Sequence, residues 1–173
     1  MPMTGAICLL ATFTFQGATK NNMTIEKLPG GFARVKTAAY TVEVPYEWTV
    51  GDQTPWGARS INPKEDKKTE LGVMTAGVTT QTWDQLYKTS LFFIMAEEKG
   101  TATPYKLSKT KTGYDACSFQ VADATGFAKR RYVLLKSPKG EAIALSVKIS
   151  DPKKEKEIAE YFDRMVRTAH IGA

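Results

Sequence analysis

Catalysis needs groups that converge, and the reactive side chains of this chain are sparse. His170 is the one histidine in 173 residues, and it lies at the end of a helical stretch near the C-terminus. There an imidazole complements the helix macrodipole, but alone it builds neither a triad nor a His-based metal site. Cys8 and Cys117 are the two cysteines. Cys117 alternates with Phe119 and Val121 in the pattern of a buried strand face, which makes packing its expected role and a reactive thiol the alternative. Two isolated cysteines do not form a Cys-rich metal site, and no phosphate loop, nucleophile elbow or zinc motif is present. The acids remain. Asp115 and Asp123 bound one expected strand, and Glu65, Asp66 and Glu70 surround a charged loop. A carboxylate pair assembled in space is the hydrolytic chemistry left open, against the plainer reading of solvated or turn-forming acids. The sequence implies no cofactor.

Three other groups have contact composition. Tyr46, Trp48 and Trp56 lie in or beside the loop after the first long strand, with Arg59 close by. Aromatic residues edged by Arg are a common interface composition; the competing expectation is packing at a sheet edge. Phe92 points nearly opposite Trp83 and Ile94 at 100° per residue, so either another element covers it or it meets a partner. Lys129-Arg130-Arg131 is the densest basic run. Strand alternation turns Arg130 away from its neighbours, leaving Lys129 and Arg131 on one side. Lys109 and Lys111 extend that side if the strands adjoin, giving weak anion affinity; a solvated sheet face is the other reading.

The elements that must position these groups can be read from turns and caps. Pro29-Gly30-Gly31 separates Thr24–Leu28 from Phe32–Lys36, a hairpin signal. Tyr40, Val42 and Val44 form a half-buried strand stopped by Pro45. Ala58–Ile61 is a further strand, Asn62–Thr69 a charged, flexible excursion, and Leu71–Val78 a strand whose glycines Gly72 and Gly77 mark bulges. Thr82-Trp83-Asp84-Gln85 reads as a capping box before a helix with Trp83, Leu86, Tyr87, Phe93 and Ile94 on one face, ended at Gly100. Residues 105–150 read as an antiparallel meander broken near Gly113, Gly126 and Gly140. Asp151 and Pro152 then open a second helix, with Ile158, Tyr161, Phe162, Met165, Val166 and Ala169 in one stripe. Its other face carries Glu160–Arg164 and Asp163–Arg167 at i,i+4.

Composition fits a folded domain: 42% hydrophobic and 24% charged residues, with a net charge of +6. The basic residues are interleaved with acids along the chain, which disfavours nucleic acid as a partner. Residues 24–173 are read as one α+β domain, and residues 1–23 as an apolar leader. Gly5–Phe15 has the length of a signal-peptide h-region and is too short to span a bilayer. No Lys or Arg precedes it, and Gln16-Gly17-Ala18 is a poor cleavage site. Two readings stand: a truncated signal peptide on an exported (periplasmic or extracellular) protein, or a run belonging to the fold of a cytoplasmic one. An uncleaved leader would allow peripheral membrane association.

Tyr40-Thr41-Val42-Glu43-Val44-Pro45-Tyr46-Glu47-Trp48 resembles the early strand and Pro-x-x-Trp corner of the PsbP-like superfamily. The family includes the extrinsic PsbP proteins of photosystem II, a Ran-binding nuclear-import factor and many bacterial secreted proteins. The order of elements from Thr24 to Ile171 fits the same plan. The resemblance implies an α-β-α sandwich, a mainly antiparallel sheet flanked by helices, acting as a non-enzymatic binding or assembly module with a protein partner. No Ran-contact or manganese-site motif can be matched. The alternative function is a small-ligand or acid-based hydrolytic protein with a cleft beside the sheet.

Overall fold

A computed structural model describes residues 23–55, 57–97 and 99–172. The leader reading for residues 1–23, apart from Met23, therefore lies outside the described residues, as do Cys8 and Trp56.

The first hairpin follows from its turn. Gly30 and Gly31 take φ of +77° and +80°, which a side chain would strain, and so return β1 (Thr24–Leu28) onto β2 (Phe32–Lys36). β3 (Tyr40–Pro45) pairs with β2, placing Ala33 opposite Val44 and Val35 opposite Val42. β12 (His170–Ile171) completes this sheet, in the order β1-β2-β3-β12. His170 is thus paired with Thr41 in a strand rather than fraying from a helix end.

A second, eight-stranded sheet holds the other strands. They are β4 (Thr49–Val50), β5 (Ala58–Asn62), β6 (Glu70–Val78), β7 (Thr101–Ala102), β8 (Lys106–Lys109), β9 (Asp115–Ala122), β10 (Arg130–Lys136) and β11 (Glu141–Lys148). The order is β4-β5-β6-β11-β10-β9-β7, with β8 also on β9. Every pair in both sheets is antiparallel. The expected meander is β8 to β11. The β6–β11 register shifts between Ala142 and Ile143 opposite Gly77, whose φ is +64°, so one of the two β6 glycines does mark a bulge. Gly72 does not. It lets Ser146 close in: a Cβ there would sit 2.4 Å from the Ser146 Oγ.

α1 (Trp83–Glu97) lies on one face of the large sheet, and α2 (Glu155–Thr168) with the small sheet on the other. The Thr82 box forms: Gln85 N–H donates to Thr82 Oγ1 at 3.3 Å, and Thr82 N–H to Gln85 Oε1 at 2.9 Å. Leu86 is buried against Cys117, Phe119, Val121, Tyr132 and Leu134, with Trp83, Tyr87, Leu91 and Ile94 packed alongside. Asp151 caps a 3₁₀ turn, Pro152–Lys154, by accepting from Lys153 N–H, and α2 starts after it. The main core joins Val35, Tyr40, Val42 and Val44 to Ile61, Leu71, Ile143, Leu145 and Val147, and to Ile158, Phe162 and Met165 of α2. At roughly 1.5–3 kcal/mol for each large apolar side chain, this three-way burial is what holds the small sheet on the large one.

The 62–69 excursion is pinned rather than loose. Asp66 Oδ2 accepts from the hydroxyls of Thr69 (2.7 Å) and Ser150 (2.8 Å), and Asn62 Nδ2 donates to the Thr69 carbonyl at 2.9 Å. These bonds tie the loop to the end of β11.

Candidate functional site

The Pro-x-x-Trp corner is a β-turn. Trp48 N–H donates to the Pro45 carbonyl at 3.2 Å, closing the four residues. Tyr46 N–H donates to the Gly31 carbonyl at 2.9 Å, which fastens the corner to the β1–β2 turn. This geometry turns Tyr46 out to solvent, 40% exposed, and Trp48 back toward α2.

Trp48 meets Tyr161 edge-on, with ring centroids 5.8 Å apart, and Tyr161 meets Phe32 in the same manner at 5.9 Å. The Arg164 guanidinium lies 3.7 Å from the Phe32 ring centroid. A ridge of three rings capped by a cation thus runs from the corner across the end of the small sheet. The Tyr161 hydroxyl donates to Glu157 Oε1 at 2.7 Å; that bond and burial push the phenol up to about 12. It remains a neutral donor at physiological pH.

Glu43, 8% exposed, sits behind the ridge between two arginines. Burial alone would push its carboxyl up, but hydrogen bonds and charge from Arg164 and Arg34 together hold it below the ordinary value. It is a clasp. A proton-transfer group would need the opposite shift to work near neutral pH.

Two hollows flank the ridge. The first, about 380 Å³ and open on one side, has a floor of Ala33, Val44, Pro45 and Val50, with Ile25, Tyr46 and Trp48 around it. Lys64 and Glu47 at its rim pair at 3.4 Å, and Lys27 Nζ stands 4.5 Å from the Tyr46 ring centroid. The second lies beside Phe32, Tyr161 and Arg164, with Glu160, Asp163 and Arg167 on its α2 side. Glu160 and Asp163 are both exposed on the helix surface, and Arg164 turns to Glu43 rather than to Glu160.

The residues singled out by sequence do not form one surface. Tyr46 and Trp48 share the first hollow. Trp56 lies outside the described residues. Arg59, expected at a contact rim, is 2% exposed: it shares the inward face of β5 with Ile61, donates to the Gly51 carbonyl and lies by the Tyr40 phenol. Phe92 is 75% exposed on α1, across the large sheet from the corner. Arg131 is paired with Glu155 of α2 at 2.5 Å, and Lys129 is half-buried before β10. Arg130 pairs in register with Val121, whereas Lys109 pairs with Asp115, about 20 Å away along β9, so Lys109 and Lys111 do not extend the basic run. Phe32, Tyr161, Arg164, Ile25 and Lys27 were not singled out. In sequence Tyr161 belongs to the apolar stripe of α2, and only the packing of α2 on the small sheet brings it against Trp48.

Of the acids, Asp115 pairs with Lys109 at 2.7 Å, and Asp123 accepts from Thr125 and Phe127 within its own turn. Cys117 is fully buried, and desolvation pushes its thiol up to about 11. Among the described residues, no helix is long and apolar enough to cross a membrane.

With two sheets, two flanking helices and this corner in place, the comparison with solved structures is decisive for the fold. The solution structure of cyanobacterial PsbP (CyanoP) from Synechocystis sp. PCC 6803 matches with a TM-score of 0.56, covering 99% of this chain and 98% of that chain at 11% identity. The fold is PsbP-like. At that identity the likeness speaks for architecture, and the Pro45–Trp48 corner is the junction between β3 and β4 within it. No family model matches the chain, and no curated protein does.

Proposed function

We propose that this protein is a non-enzymatic binding or assembly module whose contact surface is the aromatic corner of its PsbP-like fold. The observation that carries the reading is the exposed Tyr46 beside the half-buried Trp48. A large amphipathic ring sits at the mouth of an apolar hollow and is backed by a ridge of packed rings. Aromatic anchors beside a desolvated floor, rimmed by charges, are the composition of protein hot spots. The carboxylates with depressed values, Glu43, Asp66 and Asp123, are engaged by hydrogen-bond donors around them, which favours binding over acid-based hydrolysis.

Native co-purification tests this. A partner recovered at constant ratio with the wild-type chain and lost with Tyr46→Ala, at unchanged melting temperature, supports the reading. A partner retained by that variant removes the corner from the account.

The reading includes export, on the strength of the apolar run Gly5–Phe15 followed by the polar Gln16–Thr24. The mass of the mature N-terminus decides it: an intact Met1 on a cytoplasmic protein contradicts export.

A further inference from the structure

We propose that the hollow beside Tyr46 receives an extended, acidic-apolar segment of the partner protein, added as a strand on the free side of β1. This rests on the binding reading above and gives the partner a form.

The first observation is an edge. β1 ends the small sheet and, among the described residues, pairs only with β2. Thr24, Ile25, Glu26 and Lys27 are all exposed, and among the described residues no strand bonds the side of β1 away from β2. Such an edge is a template for another chain.

The second is an apolar seat next to that edge. Ile25 is 49% and Tyr46 40% exposed, and both line the same hollow over the buried Ala33, Val44 and Pro45. A shallow, one-sided volume of about 380 Å³ suits side chains hanging from a strand that passes by better than an enclosed ligand.

Charge supplies the third. In the β1–β2 register Lys27 lies opposite Ala33, which lines the hollow, so Lys27 and Ile25 share that side. Glu26 points to the other face and is held by Arg34 at 3.4 Å. Lys64 is balanced by Glu47, which leaves Lys27 as the excess charge at this rim. An antiparallel strand with a bulky apolar residue and an acid two positions apart would set the first against Ile25 and the second against Lys27. A second copy of this chain fits less well. Its own β1 offers Ile25 and Lys27 on that face, so it brings no acid to set against Lys27.

The test uses the full chain labelled with ¹⁵N and two capped heptapeptides, acetyl-Thr-Val-Asp-Thr-Phe-Val-Thr-amide and the same peptide with Lys in place of Asp. The Asp peptide should shift the amide signals of residues 24–28 and the Trp48 indole, and slow hydrogen exchange along the outer edge of β1 by about tenfold. The Lys peptide should bind several-fold more weakly. Lys27→Glu should reverse that preference, and Ile25→Glu should abolish the response with the rest of the spectrum unchanged. Amides on the outer edge of β1 already protected before peptide is added overturn the proposal, with sedimentation showing whether a second copy or the chain's own residues hold the edge. Shifts confined to Tyr46 and Trp48 overturn strand addition and leave the binding corner standing. No response to either peptide also overturns strand addition, whereas the corner is judged by co-purification.

Discussion

Arg164 holds Glu43 through two hydrogen bonds, Nη2 at 2.8 Å and Nε at 3.0 Å from the same carboxylate oxygen. The face of that guanidinium covers Phe32. One side chain therefore latches α2 to β3 and closes the aromatic ridge, using both the fork and the plane of an arginine.

Arg164→Lys keeps the charge but loses both the fork and the ring contact. Its expected cost is about 1–3 kcal/mol in denaturant unfolding, with Glu43 left under-paired in a buried position. Glu43→Gln should cost a similar amount. In the double variant the two losses should add to less than their sum, because one interaction is being removed twice. Full additivity would mean the latch does not act as a unit.

The Asp66 clasp should appear in acid. Hydrogen bonds from the Thr69 and Ser150 hydroxyls, and from the backbone N–H groups of Lys68 and Thr69, hold this carboxyl at about 2 against a reference of 3.8. A depressed value means the folded state binds the proton less tightly than the unfolded chain. The contribution is therefore complete above the reference value and is lost as pH falls from about 4 to about 2. Asp66→Asn should be less stable than wild type at neutral pH and show a flatter stability curve across that window. Parallel curves would contradict the clasp.

Tyr46 and Trp48 are neighbours in sequence with different expected costs. Trp48→Ala removes a half-buried ring from Tyr161 and should cost about 2–3 kcal/mol in thermal or denaturant unfolding. Tyr46→Ala, at an exposed position, should stay within about 0.5 kcal/mol of wild type. An equal loss in both would mean that Tyr46 is a packing residue and no contact group.

Local chemistry made much of this fold legible. The Thr82–Gln85 box, the Asp151–Pro152 start and the turns at Gly30-Gly31, Gly113, Gly126 and Gly140 are contiguous signals, and each appears where expected. The division into two sheets was not legible, because β6 pairs with β11 only after α1 and four further strands, and β4, β7 and β12 span two residues each, too short to show a period. Two candidate contact residues face the core side, and a signal for that placement existed. Arg59 alternates with Ile61, and Arg131 with Val133 and Leu135, so strand periodicity already turned both toward the core side. The ridge was hidden for another reason. Phe32, Trp48 and Tyr161 meet only through tertiary packing, and nothing in their separate sequence contexts links them.

Site-specific photo-crosslinking in the native host tests the central claim most directly, with benzoylphenylalanine placed in turn at position 46 and at position 92. The account predicts one discrete adduct from position 46 and none from position 92, although Phe92 is the more exposed ring. A discrete adduct from position 92 alone would contradict it and move the contact surface to α1.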